Sequence, residues 1–503
     1  MSDLSTCPTN AAASDGDTPH DECGVFGVWA PGRDVARMTY FALRALQHRG
    51  QESAGIAVGN GDTVLVRKDL GLVTQVFSDA DLSAMPGRVA IGHVRYGTAG
   101  AKGWESSQPH LSTIDDVIIA LAHNGTLVNF DALRRELIEM GIPFRSNTDS
   151  EVAAKLIGYF TVRAGRLRSG IAHTMHLLEG GYAIVLVREN ALYAFRDPHG
   201  IRPLVLGRLD GDGWAVASET CALDIVGATF VREVIPGEIV RISEDGLRSE
   251  VGLEPLPPAH CIFEHVYFSR PDSVQDGSSF YTMRHDMGRR LARETPVDAD
   301  LVISVPDSGT PAAEGFAAEL GLPYGTGLIK NRYVARTFIQ PTQELRQLGV
   351  RLKLNALPDA VAGKRLVMVD DSIVRGTTSK QIVRMLRNAG ATEVHVRSAS
   401  PMVMWPCFYG IDTADQDQLI AANMSLEEIR GYIGADSLGF LSTKGLLDVV
   451  PVNGYCTACF TGAYPVEIPE SFYRDKFPPG NRPHNLSNAS ATSRMSIDEV
   501  VAE

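Results

Sequence analysis

Cysteine is scarce in this chain, seven among 503 residues, at positions 7, 23, 221, 261, 407, 456 and 459. So few, so unevenly spaced, exclude a disulfide-stapled secreted scaffold. Long apolar runs are also missing: none approaches the roughly 20 residues that cross a bilayer as a helix, so no membrane partner is expected. Positive charge is in deficit, 47 Lys and Arg against 60 Asp and Glu, leaving a formal net charge of −13. That balance disfavours non-specific attraction to nucleic acid or anionic lipid, so any anion site has to be built locally. The first 22 residues hold no Lys, no Arg and no apolar core, unlike a secretory signal. Together these absences predict a cytoplasmic protein that binds no nucleic acid. No internal repeat is visible. Length alone predicts two to four domains, because single cores stop growing near roughly 250–300 residues.

Residues 1–22 are small, polar and acidic, too poor in apolar side chains to fold alone. At Cys23 the texture turns abruptly to the strand-like CGVFGVWA. Helical spacing of Val35, Met38, Ala42, Ala45 and Leu46 predicts a helix over 34–50, stopped by Gly50. Strands are expected at 89–96, 117–122, 182–188, 192–196, 214–218 and 238–243, with helices at 129–140 and 151–164. Strands broken by so few helices predict packed antiparallel sheets with helices outside. Proline-rich 253–260 reads as a linker. Beyond it come a strand at 301–306, a helix at 312–320, a strand at 364–371, a helix at 378–389 and a strand at 394–398, the rhythm of a parallel α/β domain. From 471 onward the chain is polar and rich in Pro, Ser and Asn, and reads as a loose tail.

A thiol nucleophile needs a base, and a cysteine at a newly made chain terminus can use its own α-amine. The unperturbed pKa of that amine, about 7.7–8.0, suits it to accept a proton near neutrality. A structureless leader ending directly before Cys23-Gly24 is what such processing requires. A lone cysteine is more often an inert buried hydrophobe, so the neighbours decide. Arg95, in Gly92-His93-Val94-Arg95-Tyr96-Gly97-Thr98, offers a guanidinium able to grip a carboxylate. Asn124 and Gly125, in His123-Asn124-Gly125, offer a side-chain amide and a backbone N–H, the two donors of an oxyanion hole. Asp149, in Asn147-Thr148-Asp149-Ser150-Glu151, puts a carboxylate at a helix start. Bland alternatives stand beside each: Asn-Gly forms hairpin turns, Asp149 or Ser150 caps a helix, and Arg95 is a strand-end surface charge.

In this order, and with Arg49-Gly50-Gln51-Glu52-Ser53-Ala54-Gly55, these residues resemble the N-terminal-nucleophile glutamine amidotransferases over about 23–250. The resemblance implies an αββα sandwich glutaminase at 23–252, preceded by a cleaved propeptide at 1–22. It further implies Cys23 as nucleophile, Asn124 and Gly125 as oxyanion donors, and Arg95 and Asp149 holding the α-carboxylate and α-amine of glutamine.

The most specific string runs from Val367 to Ser379, VMVDDSIVRGTTS. It is a buried strand ending in Asp370 and Asp371, then a small hydroxylated loop leading onto a helix N-terminus. Loop N–H groups, hydroxyls and the helix dipole make a phosphate cradle, while the paired acids can accept ribose hydroxyls and help position magnesium. The string resembles the phosphoribosyl pyrophosphate motif of type I phosphoribosyltransferases. That resemblance implies an α/β phosphoribosyltransferase domain at 261–470, followed by a tail at 471–503. It implies substrate contacts from Asp370, Asp371, Arg375, Gly376, Thr377, Thr378 and Ser379, and a pyrophosphate loop Val305-Pro306-Asp307-Ser308-Gly309 in which Ser308 meets the metal. It also implies a mobile cationic catalytic loop at Lys330-Asn331-Arg332-Tyr333-Val334-Ala335-Arg336-Thr337, with Lys330 and Arg332 binding the anionic substrate.

Cys456-Thr457-Ala458-Cys459 with Cys261 and Cys407 makes four thiols, enough for zinc or an iron–sulfur cubane, and spacing does not choose between them. Cys7 falls in the leader, and Cys221 reads as buried packing. Both catalytic segments in this order, over about 23–470, resemble the amidophosphoribosyltransferases, in particular the iron–sulfur-containing bacillary branch. The surroundings of Cys261 (CIFE) and Cys407 (WPCFYG) match that branch. The resemblance implies a transferase that moves glutamine-derived ammonia through a closed internal route to phosphoribosyl pyrophosphate. Its products would be phosphoribosylamine, glutamate and pyrophosphate, opening purine synthesis. It also implies one Mg2+ and one 4Fe-4S cluster per subunit, the latter on Cys261, Cys407, Cys456 and Cys459. Feedback inhibition by purine nucleotides and a homotetramer are implied as well. The rivals lack their signatures. Asparagine or glucosamine-phosphate synthases need an ATP-pyrophosphatase Ser-Gly-Gly loop or sugar-isomerase domains, and a nucleotide-sensing repressor needs a basic DNA-binding segment.

Overall fold

The computed structural model describes residues 23–61, 63–96, 103–331, 353–411, 413, 415–473, 477, 497 and 500. Gly97, Thr98, residues 332–337 and the leader lie outside the described residues.

The first domain is two antiparallel sheets. One contains β1 (Gly24–Trp29), β2 (Ser53–Gly59), β3 (Val64–Leu70), β4 (Val89–Arg95), β9 (Val205–Leu209), β10 (Trp214–Ala217) and β11 (Ala228–Glu233), in the order β11-β9-β10-β1-β4-β2-β3. The other contains β5 (His110–Ile114), β6 (Val117–Leu127), β7 (Gly180–Arg188), β8 (Ala191–Arg196), β12 (Glu238–Ser243) and β13 (Gly246–Val251), in the order β13-β12-β8-β7-β6-β5. The two-residue period of a strand sends alternate side chains to opposite faces. In β1, Val25 and Trp29 enter the core between the sheets, with Ile91, Ala122, Val185 and Leu192. Phe26 and Val28 point the other way, into a core shared with the helix Val35–Ala45. Helices Phe130–Glu139, Asp149–Ala164 and Leu167–Leu177 cover the outer face of the second sheet. The result is the expected αββα sandwich, with Cys23 at the head of a central strand.

The second domain is built on a four-stranded parallel sheet, in the order Leu301–Ser304, Arg365–Asp370, Glu393–Ser398, Ser437–Phe440. Helices Thr310–Leu320 and Thr377–Asn388 follow the first two strands, as the α/β rhythm predicted. The domains share a core: Val128 and Ile201 of the first belong to one buried cluster with Phe263, Phe408 and Tyr409 of the second.

One expectation is corrected. The region from 471 is not wholly loose. Phe477 packs on Trp405 and Phe408. Ile497 and Val500 are buried in the core of the first domain, and the Ile497 N–H donates to Glu136 Oε2 at 3.2 Å. The two aliphatics lie three apart, one face of a helical turn, inside a stretch whose average composition hides them.

Candidate active sites

Cys23 is half-buried beside the strand end that carries Arg95, because β1 and β4 pair with Gly24 opposite Val94. Burial pushes its thiol above the ordinary range, opposed by the Tyr96 N–H and the Arg95 charge; the carboxylates of Asp149 and Glu52 also act on it. A thiol held that high needs a base. His93 is poorly suited to be that base, because burial holds its imidazole down to about 3 and its Nε2–H donates to the His123 carbonyl at 3.0 Å.

Asn124 and Gly125 do not form a hairpin turn. They lie inside β6, with Gly125 opposite Tyr182 of β7. Gly125 has φ +136°, and a methyl there would stand 1.9 Å from the Gly181 carbonyl oxygen, so this position accepts only glycine. The Asn124 side chain is 1% exposed, yet neither its Nδ2 nor its Oδ1 has a hydrogen-bond partner among the described residues. Buried amides are rarely left so, and one that is asks for a ligand. Asp149 opens the helix Asp149–Ala164, but Thr148 caps it, accepting the Glu151 N–H. The Asp149 carboxylate instead accepts the Leu127 N–H at 3.0 Å, tying it to the strand that carries Asn124. Arg95 is buried at the end of β4. The structure therefore gathers Cys23, Arg95 and Asp149 in one electrostatic neighbourhood, with Asn124 three residues and Gly125 two residues before Leu127.

In the second domain, Asp370 and Asp371 are buried where the strand Arg365–Asp370 ends. Burial raises the Asp371 carboxyl, against hydrogen bonds from Ser308 and Ser372 and the charge of Arg284. The Ser308 hydroxyl donates to Asp371 Oδ2 at 2.5 Å, which draws the 305–309 loop onto the acid pair. Lys330 Nζ pairs with Asp307 Oδ2 at 2.8 Å on the exposed side. Arg375 and Gly376 lead into the helix Thr377–Asn388, whose first turn carries Thr377, Thr378 and Ser379, a helix N-terminus of the kind that binds anions.

Cys261 pairs with Cys456 in a short parallel ladder, His260–Cys261 against Tyr455–Cys456. Cys261 and Cys459 are buried, Cys407 and Cys456 half-buried. Burial first, and then mutual repulsion of the thiolates, pushes Cys459 and Cys456 well up; burial, opposed by the Arg202 charge and helped by the Glu264 carboxylate and the Cys407 thiolate, pushes Cys261 up to about 11. The Tyr409 N–H donates to Cys407 Sγ at 3.4 Å. Among the described residues no three His, Cys, Asp or Glu groups converge as ligands of one ion.

Sequence reasoning missed the charges between the two sites. Arg49 is fully buried and binds Glu219 and Glu264, at 2.5 and 2.6 Å. Burial works against both acids, but the His48 and Arg49 charges hold Glu219 down to about 2, and those of Arg49 and Arg202 do the same for Glu264. Arg284 is buried against the carbonyls of Glu264, His265 and Ser269. The only available signal was the Arg in RGQES, and nothing local pointed to partners so distant in the chain.

Comparison with known proteins gives both halves a family. A glutamine amidotransferase domain model matches residues 98–224, and a phosphoribosyl transferase domain model matches 287–400. The amidophosphoribosyltransferase of Mycobacterium tuberculosis is 51% identical, over 96% of this chain and 94% of its own length. That of Bacillus subtilis is 50% identical, over 89% and 95%. A solved structure of the allosteric regulatory enzyme of purine biosynthesis covers 91% of this chain and 98% of its own at TM-score 0.84, with 49% identity. Glutamine phosphoribosylpyrophosphate amidotransferase from B. subtilis, complexed with ADP and GMP, covers 91% and 99% at TM-score 0.83, also with 49% identity. Identity near one half along nearly the whole chain leaves no room for another assignment, and the chain belongs to the amidophosphoribosyltransferases.

Proposed function

We propose that Cys23, freed as the N-terminal residue by loss of 1–22, is the nucleophile of the glutaminase half of this amidophosphoribosyltransferase. The family's reaction moves the amide nitrogen of glutamine to phosphoribosyl pyrophosphate, at the start of purine synthesis. The observation that carries the residue assignments is the Asn124 amide, buried without a partner among the described residues, on a strand tied to Asp149, which with Arg95 acts on the Cys23 thiol. Arg95 grips the glutamine α-carboxylate and Asp149 its α-amine. The Cys23 α-amine takes the thiol proton, and Sγ attacks the amide carbon. The Asn124 Nδ2–H and Gly125 N–H receive the oxyanion. The proton returns to the departing nitrogen, releasing ammonia, and water then cleaves the thioester to glutamate.

In the second domain Arg375, Gly376, Thr377, Thr378 and Ser379 cradle the 5-phosphate, Asp370 and Asp371 orient the ribose, and Lys330 and Arg332 cover the pyrophosphate. Ammonia attacks the ribose C1, pyrophosphate leaves, and the configuration inverts. Protonated ammonium is no nucleophile, which is why a closed route between the sites matters. Ser308, Asp370 and Asp371 would hold magnesium: one or two carboxylates, with substrate phosphates completing the shell, are its usual protein setting. When bound, the ion neutralises charge on the leaving pyrophosphate.

Cys261, Cys407, Cys456 and Cys459 would hold a 4Fe-4S cluster. The reading is supported by four thiols from three segments that share one buried cluster with Phe263, Phe408 and Phe460, and by a backbone N–H that donates to Cys407 Sγ. Nothing in ammonia transfer needs an electron, so its role is structural. ADP and GMP on the B. subtilis relative support purine-nucleotide feedback here. We further propose a homotetramer in the cytoplasm. None of the six described cysteines is joined in a disulfide, and among the described residues no helix is long and apolar enough to cross a membrane. Intact-mass measurement with iron and sulfide analysis tests the reading. A chain beginning at Cys23 with four irons supports it; an uncut active chain, or zinc in place of iron, overturns the corresponding part.

A further inference from the structure

Two pieces of the second domain reach back to the groups assigned to glutamine hydrolysis. The first is Glu264. Arg49 stands between the domains, its Nε donating to the Cys23 carbonyl at 3.1 Å. Its Nη2 donates to Glu264 Oε1 at 2.6 Å and its Nη1 to Glu264 Oε2 at 3.1 Å, a two-pronged grip. Glu264 is itself pinned: Oε1 accepts Arg202 Nη2 at 2.8 Å, and Oε2 accepts the Ser269 hydroxyl at 2.5 Å. Both Arg49 and Glu264 are almost wholly buried, so this is a desolvated, charge-assisted clamp rather than a surface pair. The second piece is Gly410, with φ +127°. A methyl on it would stand 3.1 Å from Gly125 Cα, so the two backbones are in direct contact. Its neighbour Tyr409 is tied down: the Tyr409 phenol donates to the Val466 carbonyl at 2.6 Å, and the Tyr409 Cβ packs 3.1 Å from where a methyl on Gly181 would lie.

We infer that Glu264 and Gly410 are positioning residues for glutamine hydrolysis, so that the second domain supplies the rear wall of the first domain's catalytic centre. Glu264 acts through Arg49 on the main chain of Cys23; Gly410 acts on the backbone of Gly125. The need is physical. Once 1–22 are gone, nothing upstream anchors Cys23, and its carbonyl is the nearest handle. Gly125 is already held by Gly181 across the strand pair, and the Gly410 backbone is a second contact on it, from the other domain. If the Glu264 carboxylate is lost, the two-pronged grip on Arg49 goes with it while Glu219 still holds Nη1, and the Cys23 carbonyl loses its fixed partner. A displacement of about 1 Å at a reacting centre costs on the order of 100-fold in rate. The inference rests on the reading of Cys23 as nucleophile.

The test uses the full-length enzyme with Glu264→Gln, Glu264→Asp, Gly410→Ala and, as reference, Cys23→Ala. Glutamine-dependent and ammonia-dependent synthesis are measured on each, with thermal midpoints. The expected result is a fall of about 10- to 100-fold in the ratio of glutamine-dependent to ammonia-dependent rate for Glu264→Gln and Gly410→Ala, carried by kcat rather than KM. Glu264→Asp, which keeps the charge, recovers part of it. An unchanged ratio in soluble Gly410→Ala and Glu264→Asp, or equal loss of both activities, overturns the inference even if Glu264→Gln fails to fold. Glutamine-dependent activity surviving in Cys23→Ala would instead overturn the nucleophile assignment, a failure visible without either wall variant.

Discussion

Asn124→Ala separates catalysis from stability with unusual clarity. The side chain is buried with both polar atoms unpaired among the described residues, so the folded protein carries the desolvation cost of an unsatisfied amide, about 1–3 kcal/mol. Truncation removes that cost while opening a small polar void, and the two effects oppose each other. The thermal midpoint should therefore stay level or rise. The catalytic effect has one sign only. Loss of one oxyanion donor costs about 100- to 1,000-fold in kcat, roughly 2.7–4 kcal/mol of transition-state stabilisation. Glutamine-dependent synthesis should fall by that factor with KM little changed, while ammonia-dependent synthesis is untouched. Steady-state kinetics with each nitrogen donor, beside a melting curve, read all three quantities. A raised KM at constant kcat would mean that Asn124 binds ground-state glutamine. A midpoint lowered by many degrees would mean that the amide is structural, and either result refutes the reasoning.

Asp371→Asn should abolish synthesis with either nitrogen donor while leaving a basal glutaminase, assayed as glutamate release; selective loss of the glutamine-dependent rate alone would contradict the assignment. Acid titration should expose the buried charges around Arg49. Glu219 and Glu264 are held at about 2 against an ordinary 4.5, so their stabilising contribution is fully present above 4.5 and is lost as pH falls towards 2. The stability difference between wild type and Arg49→Met should accordingly be largest above pH 4.5 and shrink below it; a pH-independent difference in urea unfolding would contradict this. Single Cys→Ser changes at 261, 407, 456 or 459 should give insoluble or unstable protein, since a cluster held by all four would close several long loops. Soluble, active, iron-free variants would rule the cluster out.

Most of the framework was legible because it is local. The strand-like apolar run after Cys23, the buried strand before Asp370 and the helix after Gly376 are all written in short windows, and the structure has them within a residue or two of the expected bounds. The departures have physical causes. The helix expected over 34–50 ends at Ala45, and the turn that follows delivers Arg49 inward to Glu264. Strand β2, SAGIAVG, was not foreseen: it is glycine- and alanine-rich and buried on both faces, so it shows no alternation. Asn124-Gly125 carries the chemistry of a hairpin turn but sits within a strand, because close packing against Gly181, not local preference, sets its conformation. Arg49 and Glu264 lie 215 residues apart, and no periodicity connects such a pair. Ile497 and Val500 were hidden by the polar composition around them.

Cys23 should serve the first site alone, while the second accepts any ammonia that reaches it. Cys23→Ala tests this division most directly, with synthesis assayed at saturating phosphoribosyl pyrophosphate using glutamine and then high ammonia. The expected result is no detectable glutamine-dependent product and an ammonia-dependent rate within about twofold of wild type, a change of under ~0.5 kcal/mol in the barrier. Equal loss of both activities, or glutamine-dependent synthesis that survives, would contradict it.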